Sequence, residues 1–453
     1  MTIGIGLTTH NRYDVFKNSY VQILRHMPKE ARLFVVDDAS KVPVPEADLR
    51  FETNVGIAAA KNACIAALDD CDYIFLFDDD TFCKVPNWHL PYINSGLNHA
   101  MMIFPRLANG QSTNNRLIKT VGNLRYFASP CGNMLFFTKE AIQTVGGMDV
   151  GYGTWGGEHE SMSQRIFNNG LTPHPFIDVK ESLSLFYSHD YHLSCPRSVS
   201  TEVRKEQIKK IIPKLQSEKK SKEFIPYKEM TGMVITTYFT GFEDPQRGEK
   251  WEPNITDIDP LFVSILSHCE KPLVVLTDSF PYLKKGIRAE FVQTECTMNP
   301  YLQRWVSILE YIETVKEDYV FCVDATDVEM LRNPFKDNLG NYIWVGDEPS
   351  TINNEWLKKH HSQPLFDKFL KTHANKPLLN AGVLGGRTSV VKSFLERMVW
   401  YIKNHEILYS DMLLFNFVLY AEFPEAIKHG RECTNVFKSY SVNPKHNSYF
   451  KHK

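Results

Sequence analysis

No two of the nine cysteines are spaced as a CxxC pair, and their number is odd. A disulfide framework or a multi-cysteine zinc site needs matched pairs, so free thiols in a reducing cytoplasm are expected. Long apolar runs are missing as well: nothing approaches the ~18 residues that a membrane-spanning helix needs. The opening MTIGIGLTTHNR has neither the basic start nor the apolar core of a secretory signal. A cytoplasmic protein without membrane insertion is the expectation. An excess of one charge is the third absence. The 51 Lys and Arg nearly balance 53 Asp and Glu, for a net charge of -2, so no global basic field advertises a nucleic-acid or membrane surface.

What the chain does have is length and alternation. Its 453 residues exceed the roughly 250–300 that one hydrophobic core can serve, and two domains are expected. Short apolar strands alternate with helical spacing: Ile3 to Thr8, the helical VFKNSYVQILRHM, ARLFVVDDAS, the helical part of ETNVGIAAAKNACIAALDD, then YIFLFDDDTF. Near-continuous apolar strands separated by helices signal a parallel sheet covered on both faces. Polar residues follow the carboxyl ends of all three strands, the edge where open α/β sheets bind ligands. Between Pro196 and Met230 the chain turns lysine-rich, as in RKEQIKKIIPKLQSEKKSKEF, which reads as a solvated helix and linker or as a basic strip for an anionic partner. The alternation then restarts with MVITTYF, KPLVVLTDS (ending near Asp278), DYVFCVDATDVEML, IWVGDE and LLNAGVLGG.

Asp78, Asp79 and Asp80 stand directly after the apolar run YIFLF. Three adjacent carboxylates repel one another, and a divalent cation carrying a diphosphate relieves that repulsion. Mg²⁺ or Mn²⁺ prefers one or two carboxylates together with phosphate oxygens and water.

The surrounding motifs resemble those of family 2-like GT-A glycosyltransferases, galactosyltransferase-like members of bacteriophage type in particular. GLTTHNR is similar to their first nucleotide-binding loop (Thr8, Thr9, His10, Asn11, Arg12), and VVDDAS to the second-strand motif that places Asp38 at the base or ribose. ETNVGIAAAKN resembles the segment packed beside the nucleotide, with Asn54, Gly56, Lys61 and Asn62, and Asp78–Asp80 stands at the DxD position. VGGMDVGYGTWGGEHESMSQRI resembles the acceptor-side segment. There the resemblance implies Trp155 as a platform and Glu158 or His159 as the base, His159 standing where many members have Asp. His189 falls where some members place a further metal ligand. The implied donor is a UDP-sugar and the implied cofactor Mn²⁺ or Mg²⁺.

The later half resembles family 8-like GT-A enzymes. Asp324 and Asp327 lie after a strand with one residue more than Asp-x-Asp allows; Asn380, Ala381 and Gly382 resemble the donor-sugar loop, and Asp411 a later motif. Arg247, Lys250 and Arg304 are candidate phosphate contacts, and His446 a further candidate at the diphosphate. The expected fold class is therefore α/β, with two GT-A-like (Rossmann-like) domains at 1–195 and 231–453 joined by a basic helical linker at 196–230. A second active transferase, a degenerate binding module and a structural module remain alternatives for the later half. The expected activity is metal-assisted sugar transfer to an acceptor hydroxyl; binding without turnover is the alternative. The phage resemblance makes hydroxymethylated DNA, virion protein and surface glycan the candidate acceptors, and the host cytoplasm the place. A nucleotidyltransferase would carry a phosphate-cradling Gly-Lys or Arg loop near Asp78, and none is present there.

Overall fold

The computed structural model describes residues 1–196, 199–244, 248–280, 289–361, 363–407, 411–439 and 442–453. Its contacts divide into two units, Met1–Glu229 and Met230–Lys453. No helix among the described residues is long and apolar enough to cross a membrane, and all nine cysteines are free thiols.

The first unit is built on β1 (Ile3–Thr9), β2 (Ala31–Asp37), β3 (Leu49–Arg50) and β4 (Tyr73–Asp78). These run parallel in the order β3-β2-β1-β4. Strand Met134–Thr138 pairs antiparallel with β4, and His99–Met101 pairs antiparallel with it in turn. Alternation sets what each face buries. Ile3, Ile5, Leu7, Phe75 and Phe77 enter one core; Ile74 and Leu76 enter the other with Cys64 and Leu68 of helix α2 (Ile57–Leu68). On the α2 face β1 carries Gly4 and Gly6, and a Cβ at Gly6 would lie 2.6 Å from Cys64 Cβ. That glycine lets the helix lie directly on the strand. Helix α1 (Tyr13–His26) buries Phe16 and Ile23 on the opposite side.

Residues 199–229 of the segment read as a linker pack inside the first unit. The long helix Thr201–Glu218 buries Ile211 over the Gly156–Gly157 turn. Its last residue, Glu218, accepts from the Tyr152 and Ser161 hydroxyls at 2.6 and 3.2 Å. The following turn offers carbonyls to Asn168 and Arg165 (Ser221 at 2.7 Å, Glu223 at 3.3 Å). A charge run predicts solvent on every side; here Ile211 and Glu218, with Lys214 on Asp149 at 2.7 Å and Gln207 donating to the Thr154 hydroxyl at 2.7 Å, dock it.

The second unit repeats the layout. Strands Ala289–Gln293, Leu273–Thr277, Gly232–Tyr238 and Tyr319–Asp324 run parallel in that spatial order. Pro377–Arg387 then pairs antiparallel with Tyr319–Asp324, and Ile343–Thr351 antiparallel with Pro377–Arg387. Ile427–His429 adds an edge strand. Two cores cover the faces, one gathering Trp305, Leu384, Phe394 and Phe415, the other Val234, Leu261, Phe321 and Phe450.

Candidate active site

The carboxyl ends of β1, β2 and β4 open into a cleft of about 450 Å³, lined by Thr8, Thr9, His10, Arg12, Asp38, Asn54, the Asp78–Asp80 triplet, Trp155 and Arg204, among others. Parallel pairing sets Thr8 opposite Asp78 and Thr9 opposite Asp37, so the polar residues that follow each strand meet at one edge.

The triplet is held by three different partners. Asp78 lies 2.8 Å from Nζ of Lys61, a fully buried lysine that also donates to the Gly132 carbonyl at 3.0 Å. Asp79 accepts from the Thr9 hydroxyl at 2.8 Å. The Arg12 guanidinium forks between Asp79 and Asp80, reaching Asp80 at 3.1 Å. Asp79 and Asp80 are 3% and 5% exposed. Burial pushes both carboxyls up; the charge of Arg12 pulls each back, while Asp80 adds to the rise at Asp79 and Asp78 to that at Asp80.

The other nucleotide-loop residues brace the edge. Asp38 accepts from the backbone N–H of Val55 (2.7 Å) and Gly56 (3.0 Å), fixing the entry to α2, where Gly56 takes φ +88°. The His10 ring donates from Nδ1 to the Asp38 carbonyl, and its Nε2 accepts from Asn11 (2.7 Å) and Asn54 (3.1 Å). Asn62 does not line the cleft: it exchanges two hydrogen bonds with the backbone of Met148. Trp155 lines it with the Arg204 guanidinium 4.4 Å above its ring centre. Arg204 belongs to the helix read as linker, and nothing local in the sequence places it at the site.

Glu158 and His159 open the helix Glu158–Asn168, and neither lines the cleft. His159 Nδ1 lies 3.0 Å from Glu158 Oε1, and the His159 side chain is 19% exposed against 3% for Glu158. Burial pushes the Glu158 carboxyl up, but the bond and charge from His159 and the charge of Lys61 outweigh it and hold the carboxyl below its ordinary range.

His189 begins a short turn whose first N–H donates to the Asp80 carbonyl at 2.9 Å. Its Nδ1 meets the Ser194 hydroxyl at 2.8 Å, whereas Nε2 is buried with no hydrogen-bond partner. Burial lowers the imidazole pKa against the pull of Asp80, which keeps a nitrogen lone pair for a ligand. A carboxylate and an imidazole suit Mn²⁺, and the orphaned Nε2 beside the triplet fits such an ion. No group of three or more His, Cys, Asp or Glu among the described residues forms a complete metal cage. Donor phosphates and water would have to fill the shell.

Residues 121–189 match the family described as the N-terminal domain of galactosyltransferase. The chain is similar to galactosyltransferases there. The matched stretch contains Trp155, Glu158 and His159 and ends on His189. With the α/β sheet and its ligand edge, the match supports a GT-A-like glycosyltransferase acting on a nucleotide sugar. GT-A-like enzymes commonly use a divalent metal. No curated protein matches the chain.

The second unit has its own strand-end pocket of about 180 Å³, lined by Phe239, Trp251, Tyr301, Arg304 and the Asp324–Asp327 turn, among others. Arg304 donates to Asp324 at 2.7 Å and twice to Asp411 at 2.6–2.9 Å. Asn380 bonds the backbone N–H of Gly382 (2.8 Å) and the Glu348 carboxylate (2.9 Å). Neither Asn380, Ala381 nor Gly382 lines the pocket, although a Cβ on Gly382 would meet Asp324 at 2.6 Å. Lys250 is exposed on a two-residue strand, and Arg247 lies outside the described residues. His446 is exposed. The histidine at Asp324 is His452, 3.8 Å away and 3% exposed on the last strand, Phe450–His452. Its alternation with buried Phe450 was the available signal.

Proposed function

We propose that the first unit transfers a sugar from a UDP-sugar to an acceptor hydroxyl with the help of Mn²⁺ or Mg²⁺. The observation that carries this reading is the meeting, in one cleft, of the β1 loop, Asp38, the Asp78–Asp80 triplet and Trp155. Thr8 to Arg12 and Asp38 bind and orient the nucleotide, and Asp80 with His189 would hold the cation. Bound metal supplies charge neutralisation on the departing diphosphate. Trp155 offers a face for a sugar ring. Glu158 and His159 do not line the donor cleft, so the acceptor hydroxyl must approach from their side of it. His159, the more exposed of the pair, takes its proton, and the buried Glu158 orients the imidazole. Replacing each with Gln separates the roles: one variant should lose ~10²–10⁴-fold in transfer while still binding UDP. Normal turnover by both would place the base elsewhere. The direct test incubates the protein with a panel of UDP-sugars and Mn²⁺ and reads DNA, protein and glycan acceptors by mass spectrometry. Absence of any product with every acceptor class would favour binding without turnover.

For the second unit, the repeated strand layout and the Arg304 pocket support a second nucleotide-sugar site, similar to family 8-like enzymes. One observation favours a binding module over a second metal-dependent catalyst. Counting from the paired residues Asp78 and Asp324, Ala325 and Thr326 stand where the first unit has Asp79 and Asp80. Calorimetry with UDP and Mn²⁺ on wild type and on Arg304→Met isolates the second site as the binding that the variant loses, and identical titrations would leave the second unit a structural role.

A further inference from the structure

We propose that Arg12 is a built-in counter-cation that holds the metal position until a diphosphate arrives, making metal and nucleotide binding mutually dependent. This rests on the metal reading above and concerns what the chain does before the ion is bound.

The guanidinium forks from Asp79 to Asp80, and its third nitrogen reaches the Pro196 carbonyl at 3.5 Å. Asp78 is already paired with Lys61. Counting formal charges, Asp79, Asp80 and Arg12 leave one negative charge in a nearly buried cluster. A divalent ion at Asp80 would reverse that sign and sit against a guanidinium in a medium that screens poorly. The ion must therefore displace Arg12 from Asp80. Displaced from Asp80, the guanidinium keeps Asp79 but loses the second of its two carboxylates, and a diphosphate is the bidentate anion best suited to take that place. No three metal-binding side chains converge among the described residues, so phosphate oxygens are also what the ion lacks. Each ligand supplies what the other's arrival leaves unpaired. Thermodynamic linkage makes this coupling reciprocal.

The test is Mn²⁺ binding, followed by the loss of free-ion electron paramagnetic resonance, on full-length protein with and without UDP, with Asp80→Asn as the blank. Wild type should bind Mn²⁺ weakly alone and at least ~10-fold more tightly with UDP, within the usual range of coupling between sites. Arg12→Met keeps the apolar stem and removes the charge. It should bind Mn²⁺ alone ~10-fold more tightly than wild type and lose most of the UDP enhancement. Arg12→Lys retains a cation without the fork and should keep part of the coupling, a readout that survives if the Met variant fails to fold. Unchanged Mn²⁺ affinity in Arg12→Met, or equal coupling in all three proteins, overturns the proposal and leaves the metal site standing. No first-site Mn²⁺ binding by wild type with UDP present would remove the metal reading itself.

Discussion

In the first unit β4 runs beside β1 with Thr8 opposite Asp78; in the second, Tyr319–Asp324 runs beside Gly232–Tyr238 with Thr237 opposite Asp324. The next strand over is followed in both cases by a carboxylate, Asp38 or Asp278, that caps backbone N–H groups of a neighbouring loop. From matching frames the two edges are then loaded differently. The first gathers three carboxylates in sequence and answers them with Lys61, Thr9 and Arg12. The second gathers carboxylates from distant parts of the chain, Asp324 and Asp411, around one arginine. A shared sheet dictates where ligands go but not by which charge they are held.

The sharpest way to break the comparison is to remove each arginine. Asp411 is 3% exposed and takes two of its hydrogen bonds from Arg304. Losing one partner of such a buried pair costs about 3–5 kcal/mol, so Arg304→Met should lower the stability of the second unit by that order. Asp79 keeps the Thr9 hydroxyl, and both Asp79 and Asp80 already have raised pKa values. They can therefore shed charge by protonation, and Arg12→Met should cost clearly less. Urea unfolding of the two variants measures the difference; equal losses would mean that the arginines do the same job.

A second contrast concerns turnover. Asp80→Asn should reduce transfer by ~10²–10³-fold, the scale of losing a principal electrostatic stabiliser. Thr326→Ala, at the same place along the strand end of the second unit, should leave that transfer unchanged. Steady-state rates with saturating UDP-sugar and Mn²⁺ decide it. Full activity of Asp80→Asn would detach the triplet from the chemistry.

The parallel half of each sheet was legible in the sequence, because apolar runs followed by carboxylates mark parallel strands and their ligand ends. The antiparallel strands His99–Met101 and Met134–Thr138, which end in no such signal, were not. The cleft edge was legible too: Thr8, Thr9, His10, Arg12, Asp38 and the triplet do converge. Three further features were not legible, each for a physical reason. Lysines conceal the docking of Thr201–Glu218, since the contacts that hold it (Ile211, Glu218, Lys214 on Asp149 and Gln207 on Thr154) are scattered single residues in a charged run. His452 reaches Asp324 only because the final strand pairs with Val328–Met330. The separation of Glu158 and His159 from the cleft lining depends on how a helix start is buried, which a motif does not encode.

Acid should also distinguish the units. The strand His99–Met101 buries an imidazole that bonds the Phe136 carbonyl and the Ser163 hydroxyl, both at 2.8 Å, and stacks on Phe137. Burial pushes its pKa down to about 4, below the ordinary ~6.5 of an unfolded chain. With the folded value depressed, the unfolded state binds more protons between these limits. The stability is fully present above pH ~6.5 and is lost as pH falls toward 4, a loss on the order of 2–3 kcal/mol. The matching strand of the second unit, Ile343–Thr351, begins with apolar Ile343 and Trp344. His452 there titrates in the same direction, lowered by burial, but Asp324 and Asp327 pull it back up. Urea midpoints between pH 7 and 4.5 should fall less steeply in His99→Gln than in wild type, and parallel curves would contradict the assignment.

The smallest effect tests the helix Thr201–Glu218, which among the described residues has no counterpart at the pocket of the second unit. If the acceptor is a polyanion such as hydroxymethylated DNA, this helix is where it would approach, with Arg204 already in the cleft. Its lysines are not all available. Lys214 pairs with Asp149 and Glu218, and Lys209 with Glu206. Each phosphate neutralised adds about -0.9 to the slope of log affinity against log salt for duplex DNA. Changing Lys209, Lys210, Lys219 and Lys220 to Ser removes four positive charges but also leaves Glu206 unpaired. The slope should therefore become shallower by no more than about four such increments, and by about three if the Lys209–Glu206 pair persists on the wild-type complex. Binding of hydroxymethylated DNA at two salt concentrations reads this directly. A shallower slope with weaker binding makes the helix an acceptor track. Equal, weak binding by both proteins excludes it and assigns the acceptor to protein or glycan, where Trp155 rather than the lysines would make the first contact.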